Sequence, residues 1–239
     1  MTTIGNNLKD VRVRITTACM KADRDPADLT LIAVSKTFGV DAVREAFAEG
    51  QTAFGENYLQ EAVEKIAALQ DLPLTWHCIG PVQSNKSRLA AENFHWVHTV
   101  ASLRLAERLS AQRPAHLPPL QICLQVNIDG GENKSGLAPA EVVPLALQVA
   151  RLPGLSLRGL MTIPEPREDL AEQLAVHAES RALFDAVAKA LGEAEAGGES
   201  VRFDTLSMGM TADLEAAVKA GSTMLRVGSA IFGGRPQVK

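Results

Sequence analysis

Several residue types are scarce in this chain, and each scarcity narrows its function. Only one tyrosine and three cysteines occur among 239 residues. Cys19, Cys78 and Cys123 are an odd number, far apart, each within an apolar pattern. That fits reduced core thiols and argues against a disulfide framework or a zinc site. His95 and His98 lie three apart in a strand-like stretch, where packing or surface placement is preferred to metal ligation, so no metal is expected. No apolar run approaches the roughly 20 residues of a bilayer crossing, and the amino terminus carries no apolar signal core. A cytoplasmic protein is expected. Positive charge is not in excess, since 24 Lys and Arg stand against 28 Asp and Glu for a net charge of -4. No basic stripe or arm appears; Lys86 and Arg88 cluster, as a solvated helix start would. Neither nucleic acid nor a membrane is expected as a partner. Low-complexity tracts and domain linkers are also missing, so residues 1–239 read as one domain.

What is present is an apolar content of 46%, enough for one large core. Ile4, Leu8, Val11, Ile15, Ala18 and Ala22 recur at spacings of three and four, one stripe of a first helix. Asp25-Pro26 punctuates its end. Strand-like runs then follow at residues 29–36, 53–57, 74–80, 96–100, 120–127, 155–161, 205–208 and 224–232. Helical patterns separate them. Pro144 inside the helix expected at 140–151 argues for a late start or a kink. A long helix at 168–191 places Leu170, Leu174, His177, Phe184, Val187 and Leu191 on one side, with His177 read as an ordinary helix-face residue. Residues 192–200 read as a Gly/Glu-rich loop. Eight strands alternating with helices predict an α/β fold, a single (β/α)8 TIM barrel with an extra N-terminal helix. An open doubly wound sheet is the alternative; the strand count and the lack of a long insertion favour the barrel.

In such a barrel the chemistry sits at the carboxyl ends of the strands. Lys36 ends the first run, on the same face as Ile32 and Val34. A half-desolvated amine there favours its neutral form and is nucleophilic toward aldehydes. The alternative is a solvated strand-end lysine. The same alternation turns Asn57, His77, Ser207 and Arg226 inward, with Gly159 and Met161 sharing a face on the sixth strand. Several inward polar groups need partners, and a polar ligand is the simplest. Ser207-Met208-Gly209-Met210-Thr211 leads into a helix with Thr211 as the expected cap, and Gly228-Ser229 begins a second small-residue stretch ending in Gly233-Gly234. Small residues and helix starts expose N–H groups to an anion, although glycines there also serve plain turns. An amine, an anion cradle and an inward arginine together suggest pyridoxal 5′-phosphate, bound as a Schiff base on Lys36 with Arg226 facing the pyridine nitrogen.

At these residues the sequence resembles the pyridoxal phosphate homeostasis proteins. The matching stretches are Ala33-Val34-Ser35-Lys36, Phe54-Gly55-Glu56-Asn57-Tyr58, Trp76-His77-Cys78-Ile79-Gly80, Gln83-Ser84-Asn85-Lys86, Lys134-Ser135-Gly136, Arg158-Gly159-Leu160-Met161, Leu206-Ser207-Met208-Gly209-Met210, Arg226-Val227-Gly228 and Ile231-Phe232-Gly233. The resemblance implies a bare barrel of the alanine racemase N-terminal type. It implies cytosolic binding of pyridoxal phosphate and a role in vitamin B6 balance, with no established reaction. The expected cofactor contacts are Lys36, Asn57, His77, Met161, Ser207, Gly209, Arg226, Gly228 and Ser229.

A racemase of this barrel type needs a base on each face of the cofactor. Lys36 supplies one. The other is usually a tyrosine from an added domain, and the single tyrosine, Tyr58, follows Asn57 and so turns away from the interior. A monomeric binding and delivery protein serving apo-enzymes is therefore expected rather than an enzyme. The alternatives are a weak pyridoxal phosphate-dependent amino-acid racemase, with His77 as a possible substitute base, and a Schiff-base aldolase without cofactor. Lys134, at the same mouth, reads either as a mobile amine assisting release or as a solvated loop lysine.

Overall fold

The computed structural model describes residues 3–131, 134–194 and 202–234. Eight parallel strands close on themselves in chain order. They are β1 (Thr30–Val34), β2 (Ala53–Glu56), β3 (Thr75–Cys78), β4 (Trp96–Val100), β5 (Leu120–Val126), β6 (Leu155–Thr162), β7 (Thr205–Ser207) and β8 (Met224–Val227). Closure sets Thr30 opposite Met224 and Ala33 opposite Val227. Parallel neighbours need a crossover, supplied by α2 (Val40–Ala48), α3 (Leu59–Ala68), α4 (Ser87–Asn93), α5 (Leu103–Gln112), α6 (Pro139–Val149), α7 (Leu170–Ala194) and α8 (Leu214–Lys219). Before the barrel comes α1 (Thr3–Lys21), and after β8 comes a single turn, α9 (Ser229–Phe232). The stripe on α1 buries Leu8, Val11, Ile15 and Ala18 as the helix packs on α2, α8 and α9.

The period of two along each strand divides the apolar residues into two groups. Ala33, Phe54, Trp76, Val97, Leu124, Leu160, Leu206 and Leu225 face the helices in the main core. Ile32, Trp96, Cys123, Met161 and Met224 meet inside the barrel. The three cysteines are buried free thiols. Among the described residues no group of His, Cys, Asp and Glu is arranged to hold a metal ion, and no helix is long and apolar enough to cross a membrane.

Some boundaries differ from the sequence reading. β1 stops at Val34, and Lys36 lies in the turn beyond it. The strand expected to run to residue 232 ends at Val227; Gly228 starts a helical turn in which Ile231 N–H donates to the Gly228 carbonyl. Pro144 neither delays nor breaks α6. The helix opens with Pro139 at its start, Glu141 reaches back to the Ala138 N–H at 2.8 Å, and Pro144 forgoes only one early intrahelical bond. Thr211 is not a cap, because α8 begins at Leu214 after Asp213. The apolar side of α7 is buried from Val176 onward, while Leu170 is exposed. That helix extends to Ala194, and the rest of the expected loop, 195–200, lies outside the described residues.

Candidate functional site

A cavity of about 400 Å³ opens at the carboxyl ends of the strands, within the size range of small-ligand sites. Lys36, Asn57 and Arg226 bring polar groups to it, with Val34, Phe38, Ile79 and Ile163 as apolar walls. Its remaining side is made by Met210, Thr211 and Ala212 after β7 and by Gly228, Ser229, Gly233 and Gly234 after β8. Phe38 is fixed by stacking on Phe232, ring centroids 5.1 Å apart. A larger hollow of about 450 Å³ lies along α1, lined by Lys9, Arg12, Thr16 and Thr17 among others. It is remote from the strand ends and gathers none of the candidate residues.

Five of the nine candidates line the cavity: Lys36, Asn57, Arg226, Gly228 and Ser229. The other four do not. His77, Met161 and Ser207 are buried. They share the inward face but lie a layer lower; past His77 the cavity is reached by Ile79, just beyond the end of β3. Gly209 turns outward. Its φ is +92°, and a Cβ there would collide with the Ala217 Cβ. It lets the loop pass between β7 and α8 and offers no side to the cavity.

The lower layer supports the upper one. Arg226 donates from Nη1 to Ser207 Oγ at 2.7 Å and from Nη2 to the Thr162 carbonyl at 2.8 Å. Ser207 Oγ lies 2.9 Å from His98 Nδ1, and His98 Nε2 lies 3.0 Å from His77 Nδ1. A guanidinium only donates, so Ser207 Oγ accepts from Arg226. The hydroxyl keeps a second lone pair and its own hydrogen, so the roles along Ser207, His98 and His77 are set by the tautomers of the two rings. His77 Nε2 is buried without a protein partner. Burial, with the neighbouring His95 second, pushes His77 down to about 3. Burial, then His77 and Arg226, holds His98 well below its ordinary range. Burial also lowers the Arg226 guanidinium, to about 10.

His98 was read as packing or surface. It is packing, inside the barrel, and alternation along residues 96–100 carried the signal. The strand irregularity between Val97 and Val100 where β4 meets β5 helps aim it, as bulges beside sites do. His177 is more than a helix-face residue. It lies fully buried with Nε2 2.9 Å from Asp213 Oδ2, and Asp213 Oδ1 accepts the Met210 N–H at 2.7 Å. The pair thus pins the loop that forms one cavity wall. Burial works against the Asp213 charge, but the His177 hydrogen bond and the Met210 N–H outweigh it and hold the carboxyl below its usual range. Tyr58 is exposed and does not line the cavity. Lys134 is not simply solvated. Its ammonium is bound by Asp129 at 3.0 Å, the Ile163 carbonyl at 3.0 Å and Glu165 at 3.2 Å.

A parallel barrel with an amine and a guanidinium at one mouth is the architecture of a known class, and the family described as alanine racemase, N-terminal domain, matches residues 8–236. A Pseudomonas aeruginosa protein named pyridoxal phosphate homeostasis protein is 53% identical, over 98% of this chain and 97% of its own. The structure of PipY from Synechococcus elongatus PCC7942, with PLP bound, superposes with a TM-score of 0.82 at 38% identity, covering 96% of this chain and all of that one. An alanine racemase from Clostridium difficile shares the fold alone, at 16% identity and a TM-score of 0.72, and this chain spans 58% of it. The chain belongs to the family of the pyridoxal phosphate homeostasis proteins.

Proposed function

We propose that this protein binds pyridoxal 5′-phosphate at the barrel mouth, with Lys36 as the covalent anchor, and holds it for delivery to apo-enzymes. The observation that carries this reading is the joint placement of Lys36 and buried Arg226 on one cavity whose far side is built of small residues. The residues fit the group. Asn57 Oδ1 is buried without a protein partner beside a cavity that Asn57 lines, so a polar ligand would satisfy it. Ser229 and Ala230 open a helical turn whose first N–H groups have no carbonyl one turn back, which suits a phosphate. When bound, the cofactor supplies an aldehyde that condenses with the Lys36 amine, with loss of one water.

The other roles belong to the chain itself. Arg226 would offer N–H donors to the ring of the bound cofactor; an arginine facing the pyridine nitrogen would disfavour its protonation and weaken the ring as an electron sink. Ser207, His98 and Thr162 orient that guanidinium. Gly228, Ser229 and the 210–212 loop hold the phosphate, and Phe38, Ile79 and Ile163 exclude water. Within this reading His77, Met161 and Ser207 shape the site from beneath, and Gly209 lets the 210–212 loop leave β7.

The assignment as a carrier rests on the described residues that line the cavity, among which Lys36 is the one base placed for proton transfer. His77 is buried below the cavity, where burial pushes it down to about 3 and makes it a poor proton acceptor, and Tyr58 faces solvent. The protein acts in the cytosol as a monomer. An absorption spectrum with excess pyridoxal phosphate, before and after Lys36→Ala, tests the reading. The wild type retains a visible band through dialysis and, after hydride reduction, carries the label on Lys36; the variant does neither. A wild type that emerges colourless and unlabelled refutes it. Lys36-dependent exchange of amino-acid α-protons at roughly 1 per second or faster would instead make the protein an enzyme.

A further inference from the structure

The two residues that flank Lys36 are both held from behind. Ser35 donates its hydroxyl to Glu56 Oε1 at 2.6 Å, and its carbonyl accepts from Lys65 Nζ at 3.0 Å. On the other side, Thr37 N–H donates to Glu61 Oε1 at 2.9 Å. Lys65 ties the two carboxylates together, 2.6 Å from Glu56 Oε1 and 3.2 Å from Glu61 Oε1. Ser35, Glu56 and Lys65 are buried. Thr37 sits at φ 68°, a region β-branched residues avoid. Such backbone persists only where its surroundings over-determine it, and it clusters at functional sites. A buried ion pair adds little net stability over apolar side chains of the same volume, so stability alone is a poor reason for this cage.

We infer that Glu61, joined through Lys65 to Glu56, is a positioning residue that locks the 35–37 turn so that Lys36 meets the aldehyde carbon of the ligand. The inference rests on the proposal that Lys36 anchors pyridoxal phosphate. Glu61 is not among the residues that line the cavity. It acts by accepting the Thr37 N–H and so holding the left-handed residue next to the amine. Its consequence is selective. A ligand that bonds to Lys36 depends on the cage, whereas one that uses only the phosphate and ring contacts does not.

Glu61 is partly exposed, 37% for its side chain, so replacing it does not open the core, and Lys65 keeps Glu56 and the Ser35 carbonyl. Glu61→Ala is compared with Glu61→Gln, whose Oε1 still accepts from Thr37. Each is titrated with pyridoxal 5′-phosphate and with pyridoxine 5′-phosphate, the alcohol analogue of the same ring and phosphate. Incorporation at Lys36 is followed by hydride trapping and peptide mass. Glu61→Ala should bind the aldehyde about tenfold more weakly and label correspondingly slowly, what freeing one residue's backbone amounts to. Its affinity for the alcohol should match the wild type, and Glu61→Gln should recover most of the loss. Equal losses for both ligands, or a Gln variant no better than Ala, or an Ala variant labelled at the wild-type rate, overturn the positioning role. A wild type that is not labelled at Lys36 at all refutes the cofactor reading itself, so the two failures are distinguishable.

Discussion

Lys65→Met puts the cage to an energetic test that needs no ligand. Lys65 is 4% exposed and Glu56 fully buried, with 2.6 Å between their charged atoms. Methionine matches the aliphatic stem but leaves the Glu56 carboxylate with the Ser35 hydroxyl as its remaining hydrogen bond. Its other oxygen, Oε2, is already buried without a partner. Breaking a buried pair in this way costs about 3–5 kcal/mol. For a chain of this size that lowers Tm by about 6–20 °C. The assay is urea unfolding and a thermal melt on cofactor-free wild type, Lys65→Met, and the double variant with Glu56→Gln. The double variant buries no charge and keeps an acceptor for Ser35, so it should recover most of the loss.

The acid dependence supplies an independent check. Burial raises Glu56 above its ordinary 4.5, and the Lys65 charge and hydrogen bond oppose that rise. Removing Lys65 moves the folded-state value further up. A carboxyl raised in the folded state contributes fully below its unfolded value and loses that contribution as pH rises through the folded value. The deficit of Lys65→Met should therefore be small below pH 4.5 and widen toward neutrality. A deficit under about 1 kcal/mol at neutral pH, the scale of exposed pairs, or one that does not change with pH, would refute the reasoning.

Two further substitutions probe the packing around the cavity. Gly209→Ala would force a methyl to within 2.8 Å of Leu225 Cδ2, and closer still to Ala217, at a positive φ. Strain and overpacking together predict a loss of about 2–5 kcal/mol in denaturant unfolding; a neutral result would contradict the outward placement of that residue. Ser207→Ala unpartners Arg226 Nη1 and His98 Nδ1 in a buried chain and should cost about 2–4 kcal/mol. The same variant should shift the visible band of bound cofactor, and an unchanged spectrum would show that Arg226 is oriented without it.

Local patterning carried much of this. The period of two along residues 29–36 put Lys36 on the face of Ile32 and Val34, and the cavity is lined by Val34 and Lys36. It also turned Asn57 and Arg226 to the mouth. Alternation assigns a face but not a depth. His77, Met161 and Ser207 share the inward face yet stop a layer short, because strand tilt and register decide which inward residue reaches the rim. Gly209 escaped the pattern because it lies beyond the strand, where a positive φ redirects the chain. Lys65 gave no signal at all. A lysine on an amphipathic helix is ordinarily solvated, and only the approach of β2 to the turn after β1 turns its ammonium inward.

The sequence by itself determined the eight-fold alternation of strand and helix, the amine at the carboxyl end of the first strand-like run and the small-residue loops after the last two. Those depend on spacings of a few residues. The tertiary structure alone decided the Arg226–Ser207–His98–His77 chain and the clamp on either side of Lys36. The bonds of the first join strands from opposite parts of the chain, 109 positions apart for His98 and Ser207 and 64 for Arg226 and Thr162, which closure of the barrel brings within reach; the clamp forms where β2 and α3 pack against the turn after β1, 24 positions separating Thr37 and Glu61.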